Sequence, residues 1–131
     1  MKQKIGSISL LVNDYDKAIT FFTEKLGFRL LEDTDLGHGK RWVLVSPAGS
    51  VESCLLLAKA ASPSQQALVG NQTGGRVFLF LHTDDFWRDY ENMISRGVVF
   101  REKPRTETYG IVAVFEDLYG NKWDLVEMRN R

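Results

Sequence analysis

The sequence is poor in the devices that staple small or specialised chains. Its one cysteine, Cys54, cannot form an internal disulfide, and three prolines in 131 residues do not make a rigid Pro-rich linker. Net charge is absent as well: 17 Lys plus Arg balance 17 Asp plus Glu. Without the long-range positive field that tracks phosphates, nucleic acid and anionic membrane surfaces are poor main partners. Long apolar runs are missing, the longest stretches being broken by Asn13, Ser46 and His82, and none approaches the roughly 20 residues that cross a bilayer. The opening MKQKIGSISLLVND lacks the apolar core and small-residue cleavage site of a secretory signal. Together with the lone cysteine, this sets the expectation of a cytoplasmic protein. Histidine is scarce too: His38 and His82 are far apart and show no local metal-ligand spacing.

What is present is ordinary globular material, 44% hydrophobic and 26% charged. A chain of this length buries roughly two thirds of its unfolded surface and fits one domain or two small units sharing a core. IGSISLLV reads as a strand, and Asp14 stands where an N-cap would open the helix DYDKAITFFTEKL. Ala18, Ile19, Phe22 and Leu26 mark its buried stripe and Gly27 stops it. FRLLEDT, KRWVLVS and SCLLLAKA follow as strands, the last two separated by the turn SPAGS. The order then recurs. RVFLFLHT is a strand, DDFWRDYENMISR an amphipathic helix ending at Gly97, and VVFREKP, GIVAVFED and NKWDLVEM are three more strands. Asp14 answers to Asp85, and SPAGS to LYGN. This is an α+β chain of two β-α-β-β-β modules, about residues 4–60 and 76–128, joined by a polar, Gly-rich connection at 61–75. The glycines of NQTGG precede a strand and not a helix, so they make no phosphate loop.

LLVNDYDKAITFFTEKLGF, its counterpart FLHTDDFWRDYENMISRGV and the ending FEDLYGNKWDLVE resemble the vicinal oxygen chelate superfamily, which contains glyoxalase I, bleomycin-resistance proteins and extradiol dioxygenases. The resemblance covers nearly the whole chain. It implies two modules whose curved mixed sheets surround a cup-shaped cavity, often completed in a homodimer. In metal-dependent members, four strand positions carry His or Glu ligands. Here they fall on Ser7, on one of Leu55, Leu56 and Leu57, on Phe78 and on Asp124. One carboxylate does not hold a catalytic ion that needs about three protein ligands, so no divalent metal or other cofactor is expected. A substitute site would have to combine His82 and Asp124 with a third ligand such as His38.

In the register implied by the resemblance, Ser7, Ser9 and Leu11, Phe78, Phe80 and His82, and Asp124 and Val126 line the cup, while Ile8, Leu10, Val12, Leu79, Leu81, Trp123 and Leu125 face the helices. Such a pocket is apolar and aromatic with a few polar groups, suited to a small aromatic or planar ligand. Candidate ligand contacts are Ser7, Ser9, Trp42, Phe78, Phe80 and Tyr109. Phe78 and Phe80 also read as plain core filler. In relatives the loop equivalent to FREKPRTETYG often closes over the cavity, which would bring Arg105 or Tyr109 to a ligand; the same segment also reads as a solvated loop. Cys54 reads as a buried strand thiol. Two functions compete: a metal-free binding module, like the bleomycin-resistance proteins, and an enzyme of lyase or isomerase type in which Asp124 and His82 transfer protons. A purely structural role is a third. Relatives that sequester cationic drugs carry acidic clefts, and this neutral chain does not announce one.

Overall fold

The computed structural model describes residues 1–50 and 52–129. The chain forms two compact units, Met1–Val69 and the segment from Gly70 onward. In the first, β1 (Ser7–Val12) leads into α1 (Tyr15–Thr20), followed by β2 (Arg29–Gly37), β3 (Lys40–Ser46), β4 (Cys54–Lys59) and the short α2 (Pro63–Gln66). The second has β5 (Val77–His82), α3 (Phe86–Ser95), β6 (Arg105–Glu107), β7 (Gly110–Glu116) and β8 (Lys122–Met128). Each unit has one four-stranded mixed sheet, in order β1-β4-β3-β2 and β5-β8-β7-β6, with its first and last strands parallel. The α+β class and the repeated strand plan follow the reading of the sequence. Among the described residues no helix is long and apolar enough to cross a membrane.

Local chemistry explains the helix starts. Asp14 Oδ1 accepts the Lys17 N–H at 2.8 Å, and Asp85 Oδ1 accepts that of Arg88 at 3.2 Å, each quenching a donor with no partner inside its helix. A second cap reaches α3 from the sheet, where Glu127 Oε1 on β8 accepts the Phe86 N–H at 2.7 Å. After α1 the winding loosens into a π turn over Phe21–Lys25. That inserted residue rotates the buried face. Tyr15, Ala18, Phe21 and Phe22 are buried, whereas Ile19 and Leu26, expected in the stripe, are half-buried.

Alternation sets the sheet faces. Leu10, Val12, Val43, Val45, Leu55 and Leu57 form the core of the first sheet with α1. In the second unit an aromatic chain runs from Phe86 through Tyr90, Phe100 and Phe115 to Trp123, with successive ring centroids 4.7–5.6 Å apart. The expected strand at VVFREKP is not formed. Phe100 makes an isolated bridge to Phe115, and the strand appears later, at Arg105–Glu107. Two residues account for the shift. Glu102 places its own carboxylate on the Val114 N–H, at 3.2 Å, where a neighbouring strand would have offered a carbonyl. Pro104 has no N–H to give to a ladder.

Candidate functional site

Strand register decides which residues share the sheet face turned away from the helix in each unit. In the first, Ser9 pairs with Leu56, and Leu56 with Leu44. Among the three leucines of β4 that competed for a ligand position, Leu56 is therefore on this face, while Leu55 and Leu57 are buried in the core. Ser7 pairs with Cys54, which is half-buried on the same face and not the deeply buried thiol expected. Ser7 and Ser9 are exposed.

The ladder between β3 and β4 holds Val45 against Leu55 and Leu44 against Leu56 and goes no further. Beside the remaining part of the two strands lies a groove of about 770 Å³. Its apolar lining includes Leu36, Trp42, Leu56 and Ala58; its polar lining is His38, Lys40, Arg41, Lys59 and Gln65, with Tyr15 beneath. Tyr15 has a structural task there. Its hydroxyl accepts the Arg41 N–H at 3.1 Å, replacing the strand partner that Arg41 lacks on that side, and the Arg41 guanidinium lies 5.1 Å over its ring. Arg41 is held by Asp33 at 2.7 Å and Asp16 at 3.0 Å. The hydrogen bond to Arg41 holds Asp33 below the usual carboxylate range. The hairpin Gly37-His38-Gly39 runs entirely at positive φ, with His38 at 56°, and bends the β2-β3 end into the rim of the groove. Trp42, a predicted ligand contact, is 38% exposed on this lining.

In the second unit, Phe80 pairs with Asp124, Asp124 with Val114, and His82 with Val126. Phe80 is 60% exposed. His82 is also exposed and shares the face of Asp124, two residues further along β5 than Asp124's partner. Phe78 departs from the expected alternation with Phe80. A bulge between Val77 and Leu79 leaves it without a register partner, and its ring meets Trp123 edge-on at 6.3 Å. Tyr109, half-exposed in the β6-β7 turn, bonds through its side chain to Arg105. Arg105 is also bound by Glu102 at 3.0 Å and by Glu107. The segment expected as a loop thus contributes a fixed charged group to this face.

Asp124 is the unusual member. Its Oδ1 is buried and has no hydrogen-bond partner among the described residues. Phe80, Val114 and Val126 surround it in register, and burial among them raises its pKa, the charge of Arg105 pulling the other way and that of Glu102 adding to the rise. The neighbouring motif residue Asp117 is different. Its two oxygens accept from the Tyr119 and Asn121 N–H groups, from Asn121 Nδ2 and from Trp123 Nε1, at 3.0–3.1 Å for the shortest bond to each donor. The DLYGN stretch of the closing sequence FEDLYGNKWDLVE is therefore a turn built around a buried carboxylate. Burial raises the Asp117 pKa and these bonds oppose the rise.

The donor set does not suit a divalent ion. Ser7 and Leu56 in the first unit, and Phe78 and Asp124 in the second, supply one carboxylate and no imidazole. Among the described residues no group of three His, Cys, Asp or Glu side chains is placed to hold a metal. The sequence reading missed the groove's structural members, Tyr15, Lys40, Arg41 and Lys59. The available signal was a lysine at the groove end of both β3 and β4.

Comparison with known proteins fits this architecture. A protein of Shewanella frigidimarina is 57% identical over 132 residues, spanning 100% of this chain and 98% of its own. The crystal structure of UcmS2 superimposes with a TM-score of 0.84 at 30% identity, covering 96% of this chain and 98% of that one. TnmS3, an antibiotic binding protein from Streptomyces sp. CB03234, does so with a TM-score of 0.80, also at 30% identity, over 98% of both chains. A family model matches residues 4–125, the span that holds both sheets almost completely, and the chain accordingly belongs to the Glyoxalase/Bleomycin resistance protein/Dioxygenase superfamily.

Proposed function

We propose that this chain is a cytoplasmic binding protein that takes a small aromatic molecule into the groove of its first unit, without the divalent metal of its metal-dependent relatives. The observation that carries the reading is the groove itself. Its volume of about 770 Å³ lies within the range of about 300–1,000 Å³ common for small-molecule sites, and it joins an exposed indole to apolar strand residues and a few polar groups. The description of TnmS3 as an antibiotic binding protein supports the same class of function. The homodimer implied by the family is part of the proposal, and sedimentation at micromolar concentration checks it.

The test is a titration with aromatic antibiotics and planar aromatic compounds, in the presence of a chelator, followed by tryptophan fluorescence and by thermal stabilisation. A ligand of the groove is expected to bind equally well with and without chelator and to lose about tenfold in affinity in Trp42→Ala. Binding that requires added metal would refute the reading.

One observation favours a second reading, that of a metal-independent enzyme. The unpartnered Oδ1 of Asp124, with His82 on the same face, is an acceptor awaiting a donor, as a proton-transfer group would be. Turnover of a bound compound, abolished in Asp124→Asn and independent of chelator, would select the enzyme. Unchanged recovery of every ligand would select the binder.

A further inference from the structure

Resting on the reading of the groove as a binding site, we infer that its ligand is an aromatic anion, a ring system bearing a carboxylate or an equivalent acidic group. The argument is the segregation of charge. Over the whole chain acids and bases cancel. The groove lining nevertheless contains Lys40, Arg41 and Lys59, with His38 at the hairpin, and no Asp or Glu. Arg41 is already matched by Asp33 and Asp16, and it serves the scaffold through Tyr15. Lys40 and Lys59 are exposed and form no ion pair among the described residues, so their charge acts on whatever enters. The apolar lining, Leu36, Trp42, Leu56 and Ala58, meets the ring, and the two ammonium groups meet the acid. The charge pattern is opposite to that of an acidic cleft for a cationic drug.

Each exposed lysine contributes only modestly, so the selectivity is set by the two together and is weakened by salt. Three probes with one ring system measure it: 2-naphthoate, its neutral amide 2-naphthamide, and the cationic 2-naphthylmethylamine. At low salt the naphthoate is expected to bind about tenfold more tightly than the amide, with the cation weakest, and the preference is expected to shrink at about 0.2 M salt. Reversing both charges, Lys40→Glu with Lys59→Glu, is expected to invert the order of anion and cation. Trp42→Ala is expected to weaken all three probes. Equal affinity for naphthoate and naphthamide, or an order indifferent to the double reversal, would overturn the anion inference and leave the groove as a binding site. Failure of all three probes, or binding unaffected by Trp42→Ala, would instead remove the reading on which the inference rests.

Discussion

The closing turn and the closing strand of the second unit each place an aspartate in an apolar setting, with opposite provision for it. Four donors converge on Asp117, whereas one oxygen of Asp124 is buried without any. The first unit acts as an internal control, because it runs the same strand plan with different residues. Its corresponding turn is also closed by a buried polar side chain: the Ser46 hydroxyl donates to the Ser50 carbonyl at 2.6 Å. Its corresponding strand position is Leu56, placed between Ser9 and Leu44 as Asp124 is between Phe80 and Val114. A polar group in the turn is thus common to both executions of the plan, while a charge in the strand is not. The turn of each unit is built on a buried polar side chain, whereas the corresponding strand position is a leucine in one unit and an acid in the other, so the shared plan does not by itself require Asp124.

The most severe test of this contrast is Asp117→Ala. It strands buried donors from Trp123, Asn121 and Tyr119, and it is expected to destabilise the protein by about 3–5 kcal/mol, read from the midpoint of urea unfolding. Asp117→Asn keeps an acceptor for the backbone donors but turns an amide towards some of them, so a smaller loss is expected. If Asp117→Ala were mild, the turn would not be a structural requirement and the contrast would collapse.

Leu56→Asp writes the second unit's residue into the first. The new carboxylate has no arranged partner, and a cost of about 2 kcal/mol is expected at neutral pH. The same variant adds an acid to the groove, so it is expected to weaken naphthoate more than naphthamide. A neutral effect on stability would mean that this strand position tolerates charge in either unit, and Asp124 would lose its distinction.

Much of this architecture is legible in sequence where the deciding chemistry is local. Asp14 and Asp85 announce their helices because an N-cap acts within three residues, and the alternation in β1 and β8 sorts Leu10, Val12, Trp123 and Leu125 to the core. The failures come from single-residue changes of phase. A π turn after α1 shifts the phase of the residues that follow, so that Leu26 is only half-buried while Phe21 is buried, and a bulge at Phe78 broke the face that it was expected to share with Phe80. Neither leaves a signature in residue type. The groove was invisible for another reason. It is lined jointly by α1, the β2-β3 hairpin, β3 and β4, and which residues of distant elements meet is a property of pairing, which periodicity along one strand does not report. Asp124 stands out in the sequence because an acid in an apolar strand is conspicuous, whereas the burial of one oxygen without a partner among the described residues is a property of the fold.

The smallest expected effect is the most specific to the contrast. Burial raises the pKa of Asp124, so the folded state holds that proton more tightly than the unfolded chain does. Below the ordinary carboxylate pKa of about 4, both states are protonated and the residue carries no charge penalty. As pH rises from there through the raised folded value, ionisation costs the folded state more than the unfolded one, and stability falls to a plateau. Asp124→Asn removes the titration. It is therefore expected to be more stable than the parent at neutral pH, by about 1 kcal/mol at most because Arg105 favours the charged form, and the gain is expected to fade as the medium is acidified below about pH 4. Urea unfolding across that range measures the difference directly. A variant less stable than the parent at neutral pH would show that Asp124, like Asp117, is part of what holds the unit together, and its unpartnered oxygen would no longer argue for a ligand or a reaction.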